Sequence, residues 1–156
     1  LESLPLGNGR LGAMVFGGAA FERLQLNEES VWDGFARDRH NPDAREALPE
    51  VRRLIFAGEF AAAEALCARS LLAAPPTIDS HQTLGDLLIR THLPGPVDDH
   101  ERLLDLREAV ARTRFRAAGV VFTREVFASA PDDVLVVRLT ADRPGALDLR
   151  IGLRRD

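Results

Sequence analysis

Three adjacent carboxylate pairs stand out in the chain: Glu28-Glu29, Asp98-Asp99 and Asp132-Asp133. A pair that hydrolyses a glycosidic bond needs one carboxyl group on each side of the sugar, usually from distant segments. Neighbours in sequence do not face each other in that way. Asp98-Asp99 and Asp132-Asp133 read as turn residues. Glu28-Glu29 sits beside Trp32 in a polar stretch and is the one pair with a sugar-facing position, although a solvated loop accounts for it as well. His40, His81, His92 and His100 show no metal-ligand spacing, and the single Cys67 removes a zinc ribbon and any internal disulfide. Ser3, Ser30, Ser70, Ser80 and Ser129 lack the strained elbow motif of a nucleophilic serine. All twenty basic residues are Arg. Without Lys, this segment can form no lysine Schiff base and no lysine contact to a nucleotide phosphate. The residues therefore assemble no complete nucleophile, base and oxyanion hole, and no cofactor or metal is expected.

Gly7-Asn8-Gly9-Arg10-Leu11-Gly12 matches G-x-G-x-x-G. As a dinucleotide site, that motif needs a helix opening from it, so that helix N–H groups meet the pyrophosphate. The next residues are Ala13-Met14-Val15-Phe16-Gly17-Gly18, which read as a strand and then a turn. The segment is expected to be a tight glycine-rich entry into a hairpin, not a nucleotide site.

The elements that must position these residues divide into three stretches. Arg10–Phe16 and the alternating run Phe21–Leu26 form a hairpin about Gly17-Gly18. A polar loop runs from Asn27 to Asn41 and holds Trp32. The middle is helical, starting at Asn41-Pro42-Asp43. Pro49 is expected to open a second helical stretch and Gly58 to close it. Glu59–Ala73 is expected to bury Phe60, Ala63, Leu66, Cys67 and Leu71. His81–Leu93 reads as extended, bent at Gly85. From Leu103 onward the period is two, over Leu104–Arg116, Val120–Ser129, Val134–Ala141 and Ala146–Arg154. The last of these is the cleanest alternation: Leu147, Leu149, Ile151 and Leu153 against Asp148, Arg150, Gly152 and Arg154. Such strands, each with one apolar face, predict a mainly β fold: an antiparallel β-sandwich with a short helical insertion in its first half.

Composition bounds the partners. The chain has 156 residues, the size of one domain, with 46% hydrophobic residues and a net charge of −4. Nucleic-acid binders carry a basic surplus on one face. The nearest approach to one, Arg112, Arg114 and Arg116, alternates as a solvated strand face. No apolar run is long enough to span a bilayer. Neither nucleic acid nor membrane is expected as a partner. Leu1 is not a start methionine, and the first residues do not read as a signal peptide.

The order of motifs adds a further inference. Leu4-Pro5-Leu6-Gly7-Asn8-Gly9-Arg10-Leu11-Gly12-Ala13-Met14-Val15 precedes Leu24-Gln25-Leu26-Asn27-Glu28 and Trp32-Asp33-Gly34. Asn41-Pro42, Ala63-Glu64-Ala65 and Leu84-Gly85-Asp86-Leu87 come next. Leu104-Asp105-Leu106, Thr123–Ser129 and Val136-Val137-Arg138-Leu139 complete the series. Taken together they closely resemble the N-terminal β-domain of glycoside hydrolase family 95, the α-L-fucosidase family that also includes α-L-galactosidases. The resemblance implies a supersandwich-like β-domain joined through a helical linker to an (α/α)6 barrel. That barrel would carry the acid and the asparagine-activated water of an inverting hydrolysis. The partner would be the barrel of the same polypeptide, and the substrate an oligo- or polysaccharide. The family's domain is longer at both ends, so the chain is expected to be a single, truncated domain of a longer enzyme; the sequence leaves its localisation open, and the resemblance is compatible with a secreted or periplasmic one. Gly34-Phe35-Ala36 stands where members carry Gly-Gly-Pro, and His81 to Asp86 where many have Tyr-x-Pro-Leu-Gly-Asp. Both differences bear on loop contacts and substrate preference.

The alternative is a free-standing carbohydrate-binding module. One Trp, no Tyr, and Phe residues mostly on apolar strand faces supply such a module's aromatic platform poorly. In either case antiparallel pairing places Asn8 and Arg10 beside Asn27 and Glu28 at the open end of the hairpin. With Trp32, these five residues form the candidate site. It would face either the neighbouring domain or sugar hydroxyls, with an ordinary Arg10–Glu28 surface pair as the bland alternative.

Overall fold

A computed structural model describes residues 2–155 and divides the chain into two compact units. One comprises Leu1–Val31 and Gln82–Asp156, the other Trp32–His81.

The first unit is the β-sandwich. Strands β1 (Leu4–Gly7), β2 (Leu11–Val15), β3 (Phe21–Glu28), β4 (Gly85–Thr91) and β9 (Leu149–Arg154) form an antiparallel sheet in the order β1-β2-β3-β4-β9. Strands β5 (Val97–Asp105), β6 (Val110–Ala117), β7 (Val120–Ser129) and β8 (Val134–Ala141) form the second sheet, in sequence order. Period-two patterning decides which side chains meet. Val15, Leu24 and Ile89 of the first sheet pack with Ala111 and Val126 of the second. A second cluster joins Phe115, Ala117, Val120 and Phe122. Phe115 and Phe122 face each other in the β6–β7 register and stack with centroids 5.2 Å apart. Burying a side chain of this size stabilises the fold by about 1.5–3 kcal/mol.

Several expectations need correction. Leu104–Arg116 is not one strand. A turn at residues 106–109 splits it, with Asp105 Oδ1 accepting the N–H groups of Arg107 and Glu108 at 2.9 and 3.1 Å. The alternating pattern on both sides hid the turn. Strand β5 lies ahead of it, almost wholly exposed, with a bulge between Asp98 and Glu101. Asp98-Asp99 is therefore strand and bulge rather than turn, and Asp99 at φ 59° pairs with Arg114 and Arg116. The glycine-rich segment is itself a hairpin: β1 pairs with β2, and Gly9 turns at φ 99°. The segment is thus flanked by a strand on each side, without the helix that a pyrophosphate site requires.

One buried ion pair ties the sheets together. Glu22 on β3 and Arg124 on β7 are both almost wholly buried, with Arg124 Nη1 2.6 Å from Glu22 Oε2. Arg124 Nη1 also donates to the Gly18 carbonyl at 2.8 Å, and Gly17 N–H donates to Glu22 Oε1 at 2.8 Å. Gly17-Gly18 is therefore more than a turn: its backbone completes the shell of a buried charge pair.

The second unit holds helices α1 (Ala44–Phe56) and α2 (Phe60–Ser70). Asn41 Oδ1 accepts the Asp43 N–H at 3.0 Å and starts α1 ahead of Pro49. Pro49 thus lies inside one continuous helix and opens no second one. Gly58 ends α1 at φ 76°, as expected. Val51, Leu54 and Ala63 are buried, whereas Phe60, expected on the buried stripe, is 67% exposed.

Candidate functional site

Four of the five residues singled out from sequence belong to the sandwich, and three of them meet. Asn8 sits in the β1–β2 turn, where its Oδ1 accepts the N–H groups of Arg10 at 3.0 Å and Leu11 at 2.7 Å. That local closure replaces ladder hydrogen bonds, as Asn does in turns. Its Nδ2 then reaches the other sheet, donating to the Ser129 carbonyl at 2.8 Å and Asp133 Oδ1 at 3.3 Å. Arg10 follows the same route: its Nε donates to Glu28 Oε1 at 3.1 Å and its Nη1 to Asp133 Oδ2 at 2.7 Å. Glu28 is the buried last residue of β3, and its Oε2 accepts the Ser30 hydroxyl at 2.6 Å and the Ser30 N–H at 2.9 Å.

The hydrogen bond from Ser30, followed by that from Arg10, holds the Glu28 carboxyl below the usual carboxylate range. The Glu28 hydrogen bond, together with the Asp133 charge, raises the Arg10 guanidinium. A general acid needs its pKa moved the other way. The cluster is thus a set of satisfied, charged hydrogen bonds that latches the β1–β2 hairpin to the β7–β8 turn. It is no acid–base pair.

The Arg10–Glu28 pair, raised from sequence only as the bland alternative, is present, but it is half of a larger arrangement. Sequence reasoning missed Asp133. The signal available was Asp132-Asp133 in a turn, and nothing local told which strand end that turn would meet. The positive φ of Asp133, 53°, belongs to that turn.

Asn27 does not join the cluster. It precedes Glu28 on β3 and so points to the opposite face of the sheet, across from Gly12. There it lines an open depression of about 310 Å³ with Met14, Gln25 and Thr83. Trp32 belongs to the other unit. It is half exposed, makes an antiparallel bridge to His81, and rests edge-on against that imidazole at 5.1 Å.

Among the described residues, no three His, Cys, Asp or Glu side chains are grouped to hold a metal ion, and no helix is long and apolar enough to cross a membrane. The three arginines of β6 lie on the outward face of their sheet. Each is matched by acid: Arg112 by Glu125, and Arg114 and Arg116 by Asp99.

Alpha-L-fucosidase 2 of Arabidopsis thaliana is 39% identical over 153 residues, which covers 96% of this chain and 18% of that protein. The probable alpha-fucosidase A of Aspergillus niger is 35% identical over 147 residues, 90% of this chain and 18% of its own length. Its counterpart from Aspergillus oryzae is 28% identical over 147 residues, with 20% of its length covered. The chain thus spans about a fifth of the curated relatives it matches. The family described as glycosyl hydrolase family 65, N-terminal domain, matches residues 1–156, and with its two-sheet fold the chain belongs to that family.

Proposed function

We propose that this chain is the non-catalytic N-terminal β-domain of an α-L-fucosidase-type or α-L-galactosidase-type glycoside hydrolase of family 95. The observation that carries this reading is the similarity, over nearly the whole chain, to proteins named as fucosidases that are about five times longer. The tied state of every carboxylate in the polar cluster supports it. In this reading the catalytic acid and the activated water of an inverting hydrolysis belong to an (α/α)6 barrel elsewhere in the polypeptide. The sandwich packs on that barrel and shapes one wall of the saccharide site.

The five residues then divide by task. Asn8, Arg10 and Glu28 set the position of the hairpin end, while Asn27 and Trp32 are exposed enough to contact the barrel or the saccharide. The purified 156-residue chain is expected to release no nitrophenol from an aryl α-L-fucoside, whereas the full-length enzyme releases it with inversion. Turnover by the chain alone, abolished by a point change within it, overturns the assignment. Arg10→Ala and Trp32→Ala in the full-length enzyme test the contact role. Each is expected to lower kcat/KM or the melting temperature, and wild-type values for both would leave the cluster as ordinary surface.

A further inference from the structure

Two polar side chains in the sandwich interior each carry an atom that no protein group satisfies, and both line one cavity. Arg124 on β7 is 1% exposed and Thr91, the last residue of β4, is 5% exposed. Arg124 Nε and Thr91 Oγ1 are buried, and neither has a hydrogen-bond partner among the described residues. A buried donor without a partner carries its full desolvation cost, so native interiors supply one, from protein or from ordered water.

The far side of the guanidinium is already committed. Arg124 Nη1 donates to Glu22 Oε2 and to the Gly18 carbonyl, and Nη2 lies 3.4 Å from the Ala19 carbonyl. Turning the Nε–H toward another acceptor would break the ion pair. Thr91 is held through its backbone, whose N–H donates to the Ala20 carbonyl at 2.9 Å.

The cavity lies between the sheets, with Phe115, Phe122, Leu139 and Leu147 among its other walls. It leaves about 10 Å³ for the centre of a water molecule. That is room for one molecule and not for a chain of them. A buried water needs such room and at least two polar partners, and here both conditions meet.

We propose that this cavity is a binding site for a single structural water molecule, which accepts the Arg124 Nε–H and hydrogen-bonds the Thr91 hydroxyl. Nε can only donate, whereas the hydroxyl can donate or accept, and water serves both. A halide could also accept from the two groups. Glu22 already balances the Arg124 charge at 2.6 Å, however, so an added anion would stand unbalanced in the core. The guanidinium repels a cation from the same place. The water gives the two sheets a second polar tie: β3 reaches β7 through Glu22, and β4 reaches it through the water. The site belongs to the interior of the fold and is independent of the hydrolase reading.

Crystals of the protein diffracting to about 1.5 Å or better test the site, grown once with chloride and once with bromide. Wild type and Thr91→Ser, which keeps the hydroxyl, are expected to show one ordered water about 2.7–3.2 Å from both Arg124 Nε and the residue 91 hydroxyl. Thr91→Val keeps the shape and removes the hydroxyl, and the occupancy of that water should fall at least twofold. In solution the Arg124 Nε–H proton should show a nuclear Overhauser effect to water in wild type and Thr91→Ser, weakened at least threefold in Thr91→Val. Should Thr91→Val not fold, wild type and Thr91→Ser still decide the matter. A cavity without density, or Nε donating directly to the Thr91 hydroxyl, overturns the proposal. So does an anomalous bromide peak in the cavity, which makes the ligand an anion. A water unchanged in Thr91→Val refutes the bridge as well, because Thr91 is then no partner to it.

Discussion

At the scale of single residues, the informative group is Glu28. Its carboxyl is held down first by Ser30 and then by Arg10. A carboxyl whose folded value lies below its unfolded one contributes stability that is fully present above the unfolded value. That contribution is lost as pH falls through the folded value. The melting temperature of the wild-type chain should therefore exceed that of Glu28→Gln by a constant margin from pH 7 to about pH 5.5. The margin should shrink once the pH passes below the ordinary glutamate value of 4.5. Ser30→Ala should reduce the same margin without changing its direction, since it removes one donor and leaves Arg10 in place. A margin that grew on acidification would show that the carboxyl is destabilised in the fold.

At the scale of elements, the β2–β3 turn and the α1 helix make opposite claims on their special residues. A Cβ on Gly18 would lie 2.0 Å from the Phe21 carbonyl oxygen, a backbone atom that cannot swing away. Gly18→Ala should cost about 3 kcal/mol or more in denaturant unfolding, and it should disturb the carbonyl that Arg124 uses. Gly119, in the β6–β7 turn at φ 77°, has open space around the same position. Gly119→Asn should be close to neutral, because Asn tolerates that backbone region. If both substitutions cost the same, backbone crowding is not what sets Gly18 apart. Pro49 lies inside α1, just past its first turn, and lacks the N–H that would bond the Arg45 carbonyl. Pro49→Ala should raise the stability of that helix by on the order of 2 kcal/mol, read as a higher helical melting temperature by circular dichroism.

At the scale of the whole sandwich, the Glu22–Arg124 pair is the main polar bond between sheets. Burial pulls the Arg124 guanidinium down, and the Glu22 charge opposes that shift. Removing one partner strands the other charge in the core. Arg124→Met alone is therefore expected to lower stability by about 3–5 kcal/mol. The double variant Glu22→Leu with Arg124→Met should recover most of that loss, since a well-packed apolar pair can replace a buried ion pair at little cost. Denaturant titration of the three variants measures the cycle. A double variant as unstable as the single one would show that the backbone contacts of Gly17 and Gly18 matter more than the charges.

The sequence by itself determined the mainly β class, the strands over Val120–Ser129 and Val134–Ala141, the helical insertion and the Gly58 stop. All of these are local in origin. Side-chain period, turn chemistry and hairpin pairing act over a few residues to some tens, so they are legible without the fold. The exposed strand β5 was not legible, because its charged run carries no apolar face and exists only through pairing with β6. The same limit hid Asp133, which lies 123 residues from Arg10, and the buried partner of Glu22, 102 residues away. A carboxylate on an apolar strand face looks like a break in the pattern until the opposite sheet supplies its arginine. Which sheet edge meets which loop was decided only when two sheets packed together: long-range contact, not local preference, sets those distances.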